Sequence, residues 1–251
     1  MVVSALLASI VPPEVVAAEA FGDECDGAPL FPAEEAAIAG AAPKRRREFA
    51  AVRACARRAL ASAGFDAAPV PRAPSGAPVW PPGVVGSMTH CEGYRACTIG
   101  RTEAFSAIGI DAEPHDLLPD GVLPMVASEP ERAALAGLAA AAPGLCWDRI
   151  LFSAKESVYK AWFPATGRWL GFTDAELTLH PSGTFAARLL VPGPVVGGRP
   201  VTAYHGRWTV RHGLIATAVV VPAAGEAAAG AAAARTAASP PPPPAPPLSC
   251  P

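Results

Sequence analysis

Apolar positions recur along this chain with two periods, and the switches between those periods mark its elements. From Lys44 to Ala63 the spacing is helical: Phe49, Val52, Ala56, Ala59, Leu60 and Ala63 form one stripe, and Gly64 follows as a stop signal. Trp147 to Phe163 repeats that period, with Ile150, Leu151, Val158, Ala161 and Trp162 on the core side. Val84 to His90, a stretch around Arg95 to Gly100, and Phe105 to Asp111 read instead as strands. Asp174 to Leu179, Thr184 to Val191, His205 to Val210 and Leu214 to Val221 alternate like antiparallel strands, with turns at Pro181-Ser182-Gly183 and Arg211-His212-Gly213. Two lesser helices are predicted. One opens at Phe31-Pro32-Ala33-Glu34-Glu35, where proline and acids suit a first turn, and stops near Pro43. The other runs from Ser128-Glu129-Pro130-Glu131 to about Ala142. Residues 1 to 30 form a strand or short helix packed on the body, and 66 to 82 and 114 to 124 are loops, the first carrying Arg72.

The alternation of strand-rich and helical stretches appears twice, around 31 to 110 and 125 to 221. It predicts an α+β fold of two similar halves, residues 1 to 108 and 109 to 221, with a site in the cleft between them. Beyond Pro222 the composition falls to alanine, glycine and a proline run, Pro240 to Pro244, so residues 222 to 251 are expected to be a disordered tail.

Composition narrows the class. The 251 residues suffice for a substantial core, although alanine inflates the 51% hydrophobic content. A net charge of −2 gives no reason to expect nucleic acid or an acidic membrane as partner. Six cysteines, at 25, 55, 91, 97, 146 and 250, contain no C-x-x-C pair and read as reduced thiols. Met1 to Ala20 is apolar but lacks a basic start and is broken by Pro12, Pro13 and Glu14, so a signal peptide is not expected. No run reaches the roughly 20 apolar residues of a membrane helix. A cytoplasmic protein is the expectation.

The chemistry concentrates in two stretches. Asp111 and Glu113 stand two apart in a strand-like run, so both face one side of the sheet and call for a cation. Glu156 and Lys160 stand four apart in a helical run and share a face. Together with Lys155, these residues suggest a hard divalent ion holding a phosphate-bearing substrate. Ser153-x-x-Glu156 also matches a capping box, which would start a helix at Ser153 and employ Glu156 locally; the neighbouring lysines and the earlier Asp-x-Glu favour the metal. Lys44 through Arg47 lead straight into a helix start, where cations are disfavoured and a bound polyanion would resolve the conflict. His90, beside Ser87, Thr89 and a basic loop, is a candidate phosphate donor.

Gly86-Ser87-Met88-Thr89-His90, Gly109-Ile110-Asp111-Ala112-Glu113 and Phe152-Ser153-Ala154-Lys155-Glu156-Ser157-Val158-Tyr159-Lys160, in that order and spacing, resemble the 4′-phosphopantetheinyl transferases. The likeness is to the monomeric, roughly double-length class that activates peptide, polyketide and siderophore synthases. Lys44 to Phe49 and Trp162 to Phe172 are similar to its actinobacterial branch. The resemblance covers about residues 15 to 221 and implies two pseudo-symmetric halves with coenzyme A between them. It further implies Mg²⁺, with Mn²⁺ as an alternative, on Asp111, Glu113 and Glu156. Lys160 would meet the departing phosphate, His90 and Ser87 the 3′-phosphate side, and Arg45, Arg53 and Arg72 the same nucleotide. Arg72 and Ser75 stand where relatives often have lysine. The implied acceptor is a serine of an apo acyl or peptidyl carrier domain, with Glu156 taking its proton. Two other readings use the same residues: a Mg²⁺-dependent phosphohydrolase acting on coenzyme A, and a non-catalytic sensor of coenzyme A or a nucleotide.

Overall fold

The computed structural model describes residues 5–25 and 27–224; the expected tail lies, from residue 225 onward, outside the described residues. A 3-10 turn at Leu7–Ser9 leads into strand β1 (Val16–Phe21), and a short helix α1 (Pro32–Ala37) precedes the long helix α2 (Pro43–Ser62). Strands β2 (Val84–Cys91), β3 (Tyr94–Arg101) and β4 (Phe105–Pro114) follow. Helices α3 (Leu123–Val126), α4 (Glu129–Ala141) and α5 (Trp147–Thr166) come next. The chain closes with β5 (Ala175–His180), β6 (Thr184–Leu189), the two-residue strands β7 (Val195–Val196) and β8 (Arg199–Pro200), β9 (Ala203–Arg211) and β10 (Leu214–Pro222). The fold is α+β. A first part sets α2 on a three-stranded antiparallel sheet, β1-β3-β2; a second sets α5 on a five-stranded one, β4-β10-β9-β6-β5, so the expected boundary at 108/109 falls inside β4.

Each long helix follows its apolar stripe. Phe49, Val52, Ala56, Ala59 and Leu60 are buried on α2, and Cys55, Ala56, Ala59 and Leu60 pack with Cys97 and Ile99 of β3. Ile150, Leu151, Val158, Ala161 and Trp162 of α5 pack with Leu177, Phe185, Trp208 and Ile215. A third cluster lies on the other side of β4 and β10, where Ile108, Ile110 and Ala216 meet Leu6, Leu7 and Tyr94. Covered on both faces, β4 and β10 show continuous rather than alternating burial.

Two contacts place the site. A Cβ on Gly109 would stand 2.0 Å from the Ser157 carbonyl oxygen and 2.6 Å from the Ala161 nitrogen, so α5 lies directly on the backbone of β4. The sheets of the two halves meet where β2 runs beside β4. There Ser87 Oγ accepts from the Ile110 N–H at 3.1 Å and Thr89 Oγ1 accepts from the Ala112 N–H at 3.2 Å. The constant offset along both strands makes the pair parallel, with side-chain hydroxyls standing in for a backbone ladder.

Candidate active site

Asp111, buried on β4, lies where the two halves meet. Its Oδ1 accepts from Lys160 Nζ at 2.8 Å and from Thr89 Oγ1 at 3.2 Å, and its Oδ2 accepts from Ser153 Oγ at 2.8 Å. Thr217 on β10 supports this arrangement by donating to the Ser153 carbonyl at 2.9 Å. Glu113 lies two residues along on the same side of the strand. Arg149 Nη1 donates to it at 2.9 Å while the same guanidinium holds the Asp116 and Leu117 carbonyls. The cation that two neighbouring acids require is therefore supplied twice, by Lys160 and by Arg149.

Glu156 and Lys160 project from α5 into a cleft of about 510 Å³ that both halves line. From the first half come Arg45, Glu48, Phe49 and Arg53 of α2, Arg72 and Gly76 of the following loop, and Ser87, Thr89 and His90 of β2. The expected residues Arg45, Arg53, Arg72, Ser87, His90, Asp111, Glu156 and Lys160 thus share one space. Glu113 does not line it. A smaller hollow of about 60 Å³, bounded by Trp169, Leu170 and Phe172, adjoins the cleft, and Glu156 and Tyr159 line both. Tyr159 packs on Phe163 and Trp169 with ring centroids 5.7 and 5.1 Å apart.

Local electrostatics follow from crowding. Burial, then the Asp111 charge, pushes the Glu113 and Glu156 carboxyls up. Burial and the neighbouring Arg45 pull His90 down, and burial lowers Arg53 to about 10. Arg45 Nη1 lies 2.9 Å from His90 Nε2, and a guanidinium can only donate, so the neutral ring carries its proton on Nδ1. Glu48 Oε2 stands 3.7 Å from Arg45 and 3.5 Å from His90. Ser87 Oγ, although it accepts from Ile110, keeps its own proton available for a ligand.

The carboxylates offer the oxygen donors that hard divalent cations take. Among the described residues, however, no three His, Cys, Asp or Glu side chains gather into a single metal cluster. Lys160 occupies one Asp111 oxygen and Arg149 engages Glu113, so of the three acids expected to hold a metal Asp111 and Glu156 share the cleft, with Glu48 of α2 lining it too.

One sequence expectation is revised and one rival reading is excluded. Lys155 does not line the larger cleft: it is buried in a pair with Glu131 at 2.9 Å, donates to the Phe172 and Ala175 carbonyls, and reaches only the smaller hollow. One residue along α5 is a rotation of about 100°, enough to send Lys155 inward while Glu156 faces the cleft. The alternative capping box at Ser153 is also absent, because α5 begins at Trp147 and Ser153 lies inside it with its hydroxyl on Asp111. Sequence reasoning missed Arg149 and Glu48, and treated Ser153 only as a cap. The charge demand of the paired acids was the one available signal for Arg149.

Residues 33–100 match the family model described as the 4'-phosphopantetheinyl transferase N-terminal domain, and residues 107–215 match the 4'-phosphopantetheinyl transferase superfamily. The chain is 53% identical over 221 residues to 4'-phosphopantetheinyl transferase Svp of Streptomyces mobaraensis, covering 87% of this chain and 90% of that protein. It is 47% identical over 230 residues to 4'-phosphopantetheinyl transferase PptT of Mycobacterium tuberculosis, covering 88% and 100%. Identity to 4'-phosphopantetheinyl transferase Npt of Nocardia iowensis is 48% over 197 residues, covering 75% and 87%. The chain therefore belongs to the 4′-phosphopantetheinyl transferases, enzymes that pass the phosphopantetheine arm of coenzyme A to carrier proteins.

Proposed function

We propose that the cleft binds coenzyme A with its nucleotide among Arg45, Arg53, Arg72, Ser87 and His90 and its pyrophosphate beside Asp111, Glu156 and Lys160. The observation that carries this reading is the convergence of these cations, donors and acids, from both halves, on one space. The hollow beyond Glu156 and Tyr159, with Trp169 as a wall, suits the less polar pantetheine arm. Asp111 and Glu156, with Glu113 if Arg149 releases it, would hold Mg²⁺, and Mn²⁺ has the same ligand preference. When bound, the ion neutralises the pyrophosphate and so lowers the barrier to its cleavage.

The chain's own residues supply the rest. Glu156, which lines the cleft beside Asp111 and Lys160, takes the proton from the acceptor serine hydroxyl, directly or through a water. The serine oxygen bonds to the phosphorus that bears the pantetheine, and the bond from that phosphorus to the bridging oxygen breaks. The electron pair leaves on 3′,5′-ADP, where Lys160 meets the new charge. His90 Nδ1–H and the Ser87 hydroxyl donate to the nucleotide phosphate, fixing the other end of the substrate. Acyl or peptidyl carrier domains of polyketide, nonribosomal peptide or fatty acid synthases are the proposed acceptors. They would dock on the region after β4, where Leu117 and Met125 are 70% and 75% exposed. One chain furnishes both walls of the cleft, which supports action as a monomer. No helix among the described residues is long and apolar enough to cross a membrane, in keeping with work in the cytoplasm.

Asp111→Ala and Glu156→Ala should each abolish transfer from coenzyme A while leaving the circular dichroism spectrum unchanged. Near-parental rates for both at limiting Mg²⁺ would sink the metal assignment.

A further inference from the structure

Glu34 is an acid that the cleft does not use, yet it is completely buried. Its position in the first turn of α1 explains little, since that helix is only six residues long. Its partners explain more. Oε2 accepts from the Phe31 N–H at 3.0 Å and from Arg57 Nη1 at 3.2 Å, while Oε1 accepts from the Val70 N–H at 2.9 Å. Val70, fully buried, is gripped from its other side as well, because Arg53 Nε donates to its carbonyl at 3.1 Å. Both polar groups of the Val70 backbone are thus held by charged side chains, the stronger class of hydrogen bond.

Val70 is the root of a small hairpin-like loop. The Val79 N–H donates to the Pro71 carbonyl at 2.9 Å, the Ala73 N–H to Ala77 at 2.9 Å and the Gly76 N–H to Ala73 at 2.8 Å. At the far root, Trp80 Nε1 donates to the Gly86 carbonyl on β2 at 3.0 Å. The loop closes on the Arg72 guanidinium at Gly76, where φ is +94° and a Cβ would stand 3.0 Å from Arg72 Nη2. Arg72, Ser75, Gly76, Ala77 and Pro78 form one wall of the cleft. Arg53, which grips Val70, lines the cleft too, with its guanidinium 3.7 Å from the centre of the Phe49 ring.

We propose that Glu34 is a positioning residue for nucleotide recognition: through the Val70 backbone and Arg53 it fixes the loop that presents Arg72 to the cleft. Glu34 touches no substrate. It sets where two substrate-facing guanidiniums stand, and so tunes affinity for the phosphorylated nucleotide rather than the rate of arm transfer. The inference rests on the reading above that Arg53 and Arg72 face the nucleotide of coenzyme A.

The test compares coenzyme A with 3′-dephospho-coenzyme A as donors to one apo carrier protein, for the parent enzyme, Glu34→Gln, Glu34→Asp, Arg72→Ala and the double variant Glu34→Gln/Arg72→Ala. Glutamine must turn an NH₂ towards an N–H donor, and aspartate falls short of Val70. Each Glu34 variant should raise KM for coenzyme A by about tenfold, the equivalent of one hydrogen bond to a charged group. For both variants kcat, and KM for the dephospho donor, should stay within about twofold of the parent, an effect too small to count as a lost hydrogen bond. Arg72→Ala should show the same selectivity, and the double variant should add little. Equal losses on both donors, or a loss in kcat alone, would overturn the proposal and leave Glu34 as a fold residue. Should Glu34→Gln not fold, Glu34→Asp, which keeps the buried charge, decides by the same criterion. A non-selective Arg72→Ala would overturn the nucleotide reading and the proposal with it; a selective Arg72→Ala with non-selective Glu34 variants would overturn the proposal alone.

Discussion

His90 shows how neighbours set the chemistry of a single residue. Burial and Arg45 both oppose a second positive charge, so the ring titrates below 6.5 and is neutral at pH 7. As pH falls, the unfolded chain takes this proton before the folded one does, so His90 costs nothing above the unfolded pKa and destabilises the fold as pH drops through it. An NMR titration of the ring protons should give a midpoint below 6.5; a midpoint above it would mean that Glu48, not burial, governs the ring. At this scale the sequence was informative wherever a residue type answers a charge. That Asp111, Glu156, Lys160 and His90 share one cleft was legible, because acids, lysines and a histidine at strand and helix spacings have few uses. Lys155 turns away from the larger cleft because the next residue along a helix is rotated by about 100°, and nothing local shows that Glu131, on another helix, awaits it.

The decisive element contact is α5 on β4. Gly109→Ala would drive a methyl group into the Ser157 carbonyl and the Ala161 nitrogen, and backbone cannot give as a side chain can. A loss of about 3 kcal/mol, read from the denaturation midpoint, is expected. Lys155→Ala leaves Glu131 buried beside the Ser128 and Leu177 N–H groups but without its cation, and should cost about 3–5 kcal/mol. Parental stability for either variant would mean that the helix and sheet can separate cheaply. Both long helices and the principal strands were legible from periodicity. The four-residue α3 and the two-residue β7 and β8 were not, since such short elements carry no period. The β2–β4 seam was hidden for another reason: Ser87 and Thr89 use side chains to bond a neighbouring backbone, and a hydroxyl in a strand does not declare its partner.

At the scale of the whole molecule, the cleft exists only because two α+β halves meet edge to edge, with the basic face of α2 on one wall and the acids of β4 and α5 on the other. The uncapped, basic start of α2 is unfavourable for an isolated helix, since no acid stands in its first turn. Of the four basic residues at that start Arg45 alone lines the cleft, where an anionic ligand would offset the charge, while Arg46 donates to the Ile38 carbonyl. Transfer of a phosphopantetheine arm in this cleft is expected to need a divalent ion. The deciding measurement is the intact mass of an apo carrier protein incubated with this protein, coenzyme A and Mg²⁺, beside a chelated control. A metal-dependent gain of one phosphopantetheine arm is the expected result. Consumption of coenzyme A with no gain on peptidyl, polyketide or fatty-acid carriers would contradict it.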